Sequence, residues 1–241
     1  MLELKQLTNR IWYTTPEQVT DRPVLGYIKG DKLSLAIDAG NSRKHVEEFV
    51  ELLRQVGLKE ADLVAITHWH WDHTFGMCAV NGRTIAGSKT NEELKKVMCW
   101  EWSEEAMAAR LASGEDIQMC DTCIREEYPD RSMIEVKTAD LVFDSKLVID
   151  LGSVTCELMQ VDSPHSDDAV LAYVPEEKTL FVGDAYGEDF YYNQGRYDKQ
   201  KLEAFMKLLE TIDFEYCVVG HSAPETRAGL FEYLQKEFHK L

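Results

Sequence analysis

The chain alternates between two hydrophobic rhythms. Short apolar or alternating runs at 10–14, 24–29 and 33–37, punctuated by Pro23, Gly26, Gly30 and Gly40, predict β-strands in the first part. A helical rhythm follows. Ser42 is a plausible N-cap, Val46, Phe49, Val50, Leu53 and Val56 recur at helical spacing, and Gly57 stops the run. The compact apolar stretch 61–67 predicts a buried strand. Residues 89–130 then change character: they are acidic, rich in Met, Trp and Ala, and lack strand alternation. Within them 91–100 and 103–112 read as helices, so the segment is expected to be a helical insertion or lid. Strand patterns resume at 141–143, 146–150, 154–161, 169–174 and 179–182. A helix carrying Leu202, Phe205, Leu209 and Ile212 on one face comes next. A strand at 216–219 leads to a last helix with Leu230, Tyr233, Leu234 and Phe238.

The two halves echo each other. Residues 32–40 (KLSLAIDAG) resemble 178–186 (KTLFVGDAY), and 63–68 (LVAITH) resemble 217–221 (CVVGH). Each pair ends an apolar strand on a polar residue. Two sheets that bring strand ends to a common edge, with helices outside, make an α/β fold of the αββα four-layer sandwich type. At 241 residues the expectation is a single domain over 1–241 with its insertion at about 89–130.

Charge narrows the partners. Asp and Glu outnumber Lys and Arg 43 to 26, a formal charge of −17, which repels phosphate backbones and anionic lipid. Neither nucleic acid nor membrane is expected as a partner. A homodimer is the one assembly left open. The six cysteines, Cys78, Cys99, Cys120, Cys123, Cys156 and Cys217, show no framework spacing. The opening residues lack a secretory pattern and no apolar run is long enough for a membrane span, so the expected compartment is the cytoplasm. Cys120-x-x-Cys123 has no second Cys/His pair near it and reads as two ordinary thiols.

Candidate chemistry concentrates in Thr67-His68-Trp69-His70-Trp71-Asp72-His73-Thr74. Four potential ligands lie in six residues directly after a buried strand. In an extended loop, His68 and His70 point to one side, and Asp72 and His73 follow as the chain turns. Imidazole and carboxylate together suit zinc and similar borderline metals. A single histidine is more often a solvated or core residue; so dense a cluster at a strand end is not.

The pattern His68-x-His70-x-Asp72-His73 resembles the signature of the metallo-β-lactamase superfamily. The other expected members follow in order: His165 after a strand, Asp184 in a Gly-Asp step, and His221 after the last core strand. This resemblance spans about 24–225. It implies a first metal on His68, His70 and His165, a second on Asp72, His73 and His221, and Asp184 bridging. The implied cofactors are two divalent ions, zinc first and manganese or iron(II) as alternatives. The implied chemistry is a hydrolase in which a metal-bridging hydroxide attacks a carbonyl or phosphoryl centre, with Asp72 as the catalytic residue that takes up or relays a proton. Asp38 matches an aspartate that sits beside the site in this family and orients a ligand histidine; a turn residue before Gly40 is the plain reading.

The bond broken is less determined. The Gly183-Asp184 step resembles the glyoxalase II, lactonase and phosphodiesterase branches, whereas true β-lactamases usually lack that bridging aspartate. Pro164 before His165, Ser166-Asp167-Asp168 after it, and the short stretch beyond His221 depart from the glyoxalase II pattern. The expected substrate is therefore a small molecule carrying an ester, thioester, lactone or phosphodiester bond. The rival is a mononuclear iron oxidoreductase of the same fold, persulfide dioxygenase-like, with iron on His68, His165 and Asp184. Trp69, Trp71, Phe75, Trp100, Trp102, Tyr186, Phe190, Tyr191 and Tyr192 are candidates to wall the pocket, though aromatics more often pack than touch ligand.

Overall fold

The computed structural model describes residues 2–241. Seven strands form the first sheet in simple sequence order: β1 (Leu4–Gln6), β2 (Ile11–Thr14), β3 (Gly26–Lys29), β4 (Ser34–Ile37), β5 (Leu63–Ala65), β6 (Arg83–Gly87) and β7 (Leu141–Phe143). The sheet starts antiparallel and becomes parallel from β4 onward. The second sheet contains β8 (Lys146–Asp150), β9 (Thr155–Gln160), β10 (Val170–Val174), β11 (Thr179–Gly183), β12 (Tyr216–Val219) and β13 (Glu225–Thr226), ordered from β13 to β8. It is antiparallel except where β11 runs parallel to β12.

The sequence echo thus has a structural counterpart. In each sheet one parallel pair, β4–β5 and β11–β12, delivers polar residues at its strand ends. Parallel strands need both faces covered, which is why β11 and β12 are nearly continuous apolar runs.

Ile28, Leu35, Leu158, Val170 and Phe181 pack between the sheets. Outside the first sheet lies α1 (Arg43–Gln55), whose Val46, Phe49 and Leu53 are buried. Its first turn is capped by Ser42, whose side chain accepts from the His45 N–H, as the sequence predicts. Outside the second sheet, α6 (Lys199–Glu210) and α7 (Arg227–Lys240) bury Leu202, Phe205, Leu209, Leu230 and Leu234. At roughly 1.5–3 kcal/mol for each fully buried large apolar side chain, these stripes hold the outer layers down. The expected αββα sandwich is the observed one. The αββα architecture is what places every candidate ligand at one edge.

The 89–130 segment is more structured than its pattern predicted. After a short α2 (Trp71–Thr74), α3 runs Ser88–Val97, α4 Glu104–Ser113 and α5 Gln118–Glu127. The third of these helices was not legible: Gln118–Glu127 is mostly polar and buries only Cys120, Asp121 and Ile124. β1 and β6 were likewise unread, being short and, in β6, broken in pattern by Arg83 and Gly87. Cys120, Ile124 and Tyr128 join Trp69, Trp71 and Phe75 in an aromatic cluster. The end of α5 is fastened to the body. Glu127 accepts from Arg22 Nη2 at 2.9 Å and from the Ser42 hydroxyl, and the Tyr128 hydroxyl donates to the Asn41 carbonyl at 2.9 Å.

Candidate metal centre

The histidine-rich loop begins two residues after β5. Thr67 to His70 form an irregular loop that bends at Trp69, and α2 then carries Asp72 and His73. His165 sits in the β9–β10 connection. Asp184 follows β11 and His221 follows β12. All seven predicted side chains meet. His68, His70 and His165 form one group, and Asp72, His73, Asp184 and His221 a second; within each, the ligand atoms lie within 4.8 Å of one another.

Two glycines make this convergence possible. Gly183 has φ +51, and a Cβ there would come within 2.6 Å of Thr67 Oγ1. A Cβ on Gly220 would collide with Oδ1 of Asp184. The Gly-Asp and Gly-His steps therefore let β11 and β12 bring Asp184 and His221 together.

The hydrogen bonds show which nitrogen of each ring faces the centre. His73 Nδ1 lies 2.7 Å from Asp38 Oδ2, and His165 Nδ1 lies 2.6 Å from the Glu188 carbonyl. His68 Nδ1 is 3.0 Å from Thr67 Oγ1, which donates onward to Asp38 Oδ2 at 2.9 Å. His221 Nδ1 stands 3.5 Å from Asp21 Oδ1. In the His68, His73 and His165 rings Nδ1 is committed to an acceptor, and at His221 it faces the Asp21 carboxylate, so Nε2 is the atom turned inward in all four. His165 Nε2 and His70 Nδ1 approach to 3.0 Å.

Asp184 Oδ2 lies 3.1 Å from His221 Nε2, 3.6 Å from His73 Nε2 and 3.9 Å from His165 Nε2, so it reaches both groups. Asp72 Oδ2 is 3.0 Å from His73 Nε2 and 3.1 Å from His221 Nε2. Yet His68 Nε2, His73 Nε2, Asp72 Oδ2 and Asp184 Oδ1 are buried without a hydrogen-bond partner of proper geometry. Buried polar atoms are rarely left so, and four of them aimed at one place suit cations.

Electrostatics agrees with the donor set. Burial pushes His68 and His70 well below the usual imidazole range, so both rings stay neutral with lone pairs free. For His73 and His221 burial also opposes charge, but the Asp72 and Asp184 carboxylates, joined by Asp38 at His73, outweigh it and raise both. Those carboxylates draw positive charge into the pocket. Divalent cations would supply that charge in place of the ring protons, as metal binding releases protons elsewhere. Residues and group fit.

Among the described residues, the metallo-beta-lactamase superfamily profile matches 25–221. The chain belongs to the metallo-beta-lactamase superfamily. Comparison with curated proteins gives no significant match. Solved metallo-beta-lactamase folds do match. A metallo-beta-lactamase from Pontibacter korlensis is 17% identical with TM-score 0.67, over 98% of this chain and 99% of that one. The DIM-1 metallo-beta-lactamase is 16% identical with TM-score 0.69, over 99% and 97%. The stereoselective inverting sec-alkylsulfatase Pisa1 from Pseudomonas sp. is 14% identical with TM-score 0.72, over 99% of this chain and 41% of that one. At such identities these likenesses speak for the fold.

Within this family fold, several neighbours of the site went unread. Asp21, in the loop between β2 and β3 at φ +54, faces His221; burial and the Asp72 charge push its carboxyl up to about 6. Asp168 Oδ2 accepts from the Trp69 N–H at 2.9 Å and so pins the ligand loop. Neither carried a periodic or spacing signal. Asp38 is both a left-handed turn residue, φ +64, and the partner of His73, so its two readings hold together. Of the candidate pocket aromatics only Phe190 and Tyr191 line the cavity over the centre. Trp69, Trp71 and Phe75 pack beside α4 and α5 with Trp100 and Trp102, Tyr186 pairs edge-on with Tyr233, and Tyr192 is exposed. All six cysteines are unpaired, Cys120 and Cys123 included. No helix among the described residues is long and apolar enough to cross a membrane.

Proposed function

We propose that this chain is a hydrolase that works with two divalent cations, zinc first, cleaving an ester, thioester, lactone or phosphodiester bond of a small molecule. The observation that supports it is the pairing of two ligand groups through one carboxylate, Asp184, whose Oδ2 lies within 3.9 Å of both His165 and His221. His68, His70 and His165 would hold the first cation, Asp72, His73 and His221 the second, with Asp184 between them. When bound, such a pair makes water nucleophilic near neutral pH and polarises a carbonyl or phosphoryl oxygen.

The chain's own residues supply position and proton handling. Asp38, Thr67, Glu188 and Asp21 hold the imidazoles by their outer nitrogens, so the inner nitrogens need no rearrangement. Asp72 lines the cavity and is the carboxylate placed to relay the proton that attacking water gives up. Its histidine neighbours keep it well below the usual carboxylate range despite burial, which suits relay more than storage. Unpaired cysteines favour a reducing compartment such as the cytoplasm.

The test is a substrate panel run on chelated and zinc- or manganese-reloaded protein. Hydrolysis of at least one ester, thioester, lactone or phosphodiester that vanishes on chelation and returns on reloading is expected. The iron trio of the rival reading draws His68 and His165 from the first ligand group and Asp184 from the second. Oxygen uptake on a persulfide by iron-loaded protein, with the whole hydrolytic panel inert, would replace the proposal with that reading.

A further inference from the structure

The cavity above the ligand cluster has a volume of about 230 Å³, small beside a drug-sized site. Beside the ligand residues it is lined by Ile117, Met119 and Cys120 of the helical segment and by Phe190 and Tyr191. Tyr191 is held as a rigid wall. Its ring lies 4.8 Å from both Trp69 and His70, and its hydroxyl is turned to Asp116 and Cys120 at 3.5 and 3.4 Å. Among the lining residues, Met119 and Phe190 are the large apolar side chains that also leave 48% and 42% of their surface open to solvent. Exposed apolar groups gathered at a cavity mouth mark a ligand surface.

Away from the ligand cluster, the charged side chain on the cavity lining is Asp21. No lysine or arginine lines the cavity among the described residues. Nor is a cation free to swing in. Arg22, next to Asp21, is bound to Glu48 at 2.8 Å and Glu127 at 2.9 Å. Arg110 lies between the Trp100 and Trp102 rings at 4.6 and 4.9 Å and donates to the Glu101 carbonyl. A substrate carrying its own carboxylate or phosphate away from the scissile bond would find no partner and would face Asp21.

We infer that the substrates are small, uncharged acyl compounds, esters, thioesters or lactones, whose apolar part rests on Ile117, Met119 and Phe190, and that anionic analogues are rejected at the mouth. This rests on the hydrolase reading above and narrows it by the charge and the apolar part of the acyl substrate. The reaction is balanced without any redox partner. The oxygen of water bonds to the acyl carbon, the acyl–oxygen or acyl–sulfur bond breaks, and a carboxylate, an alcohol or thiol and one proton leave.

Matched substrates test it on the metal-loaded full chain. 4-Nitrophenyl butyrate and the 4-nitrophenyl monoester of succinic acid share a leaving group and differ by a terminal carboxylate. The neutral ester is expected to show kcat/KM about 10²-fold higher, chiefly through KM, as like-charge juxtaposition at a binding site predicts. Met119→Lys, at an exposed position, should narrow that ratio about tenfold by improving the anionic ester. Phe190→Ala should raise KM for the butyrate. Equal rates, preference for the succinate monoester, or a ratio unmoved by Met119→Lys overturns the inference while leaving the hydrolase reading intact. Inertness toward the whole panel of esters, thioesters, lactones and phosphodiesters sinks the hydrolase reading instead. Calorimetric binding then decides the inference: tighter binding of butyramide than of succinamate upholds it, and the reverse order refutes it.

Discussion

Asp184→Ala is expected to abolish catalysis while leaving the sandwich folded. Asp184 Oδ2 is the atom that reaches His165 in one ligand group and His73 and His221 in the other. Without it the second cation loses an anionic donor, and two positive ions would stand close with nothing negative between them. Metal-assisted stabilisation contributes several kcal/mol to a transition state, and each 1.36 kcal/mol is a factor of ten, so kcat/KM should fall at least about 10³-fold. Metal content should drop from two ions per chain to one or fewer. Asp184→Asn separates charge from shape: it fits the space that Gly220 leaves and should still lose the second ion. A folded Asp184→Ala protein that kept both ions and its rate would remove the bridge from the account.

The second large effect is at Asp38, and it reaches stability as well as the metal. This buried carboxylate accepts from the Thr67 N–H at 2.7 Å and its hydroxyl at 2.9 Å, and it pairs with His73 Nδ1 at 2.7 Å. Asp38→Ala strands a buried backbone N–H and an imidazole N–H, each costing about 1–3 kcal/mol. It also places alanine at φ +64, where aspartate is tolerated better. The expected loss is about 3–5 kcal/mol, or roughly 10 °C in Tm for a chain of this size. Second-ion affinity should fall on the order of 10–100-fold, as when an outer partner of a ligand histidine is removed. Asp38→Asn keeps the turn and an acceptor. It should recover most of the thermal loss but not the metal affinity, which separates orientation of His73 from mere structural support. Thermal melts and zinc titrations of both variants check this.

Much of the site was legible because its chemistry is local in sequence. His68, His70, Asp72 and His73 come from one loop and one turn of helix, whereas His165, Asp184 and His221, far apart in the chain, were picked out by the family resemblance. The strand echo read correctly because the β4–β5 and β11–β12 pairs obey the same burial rule. What stayed hidden depends on contacts between distant segments. Asp21 acquires its role when the β2–β3 loop meets His221, 200 positions later in the chain. Helix α5 is mostly polar, its narrow seam of Cys120 and Ile124 packs only against the aromatic cluster, and Glu127 ties its end to Arg22. Met119 lines the cavity for the same reason: the fold, not the local pattern, brings it there, whereas Tyr191 was already named among the candidate aromatics.

The central claim is that seven side chains hold two cations. Elemental mass spectrometry on full-length protein, purified without chelator and then equilibrated with zinc and manganese, measures it directly. The account predicts two divalent ions per chain, dropping with Asp184→Ala. A folded chain that binds none, or that retains a single iron and takes up oxygen with a persulfide, would contradict it.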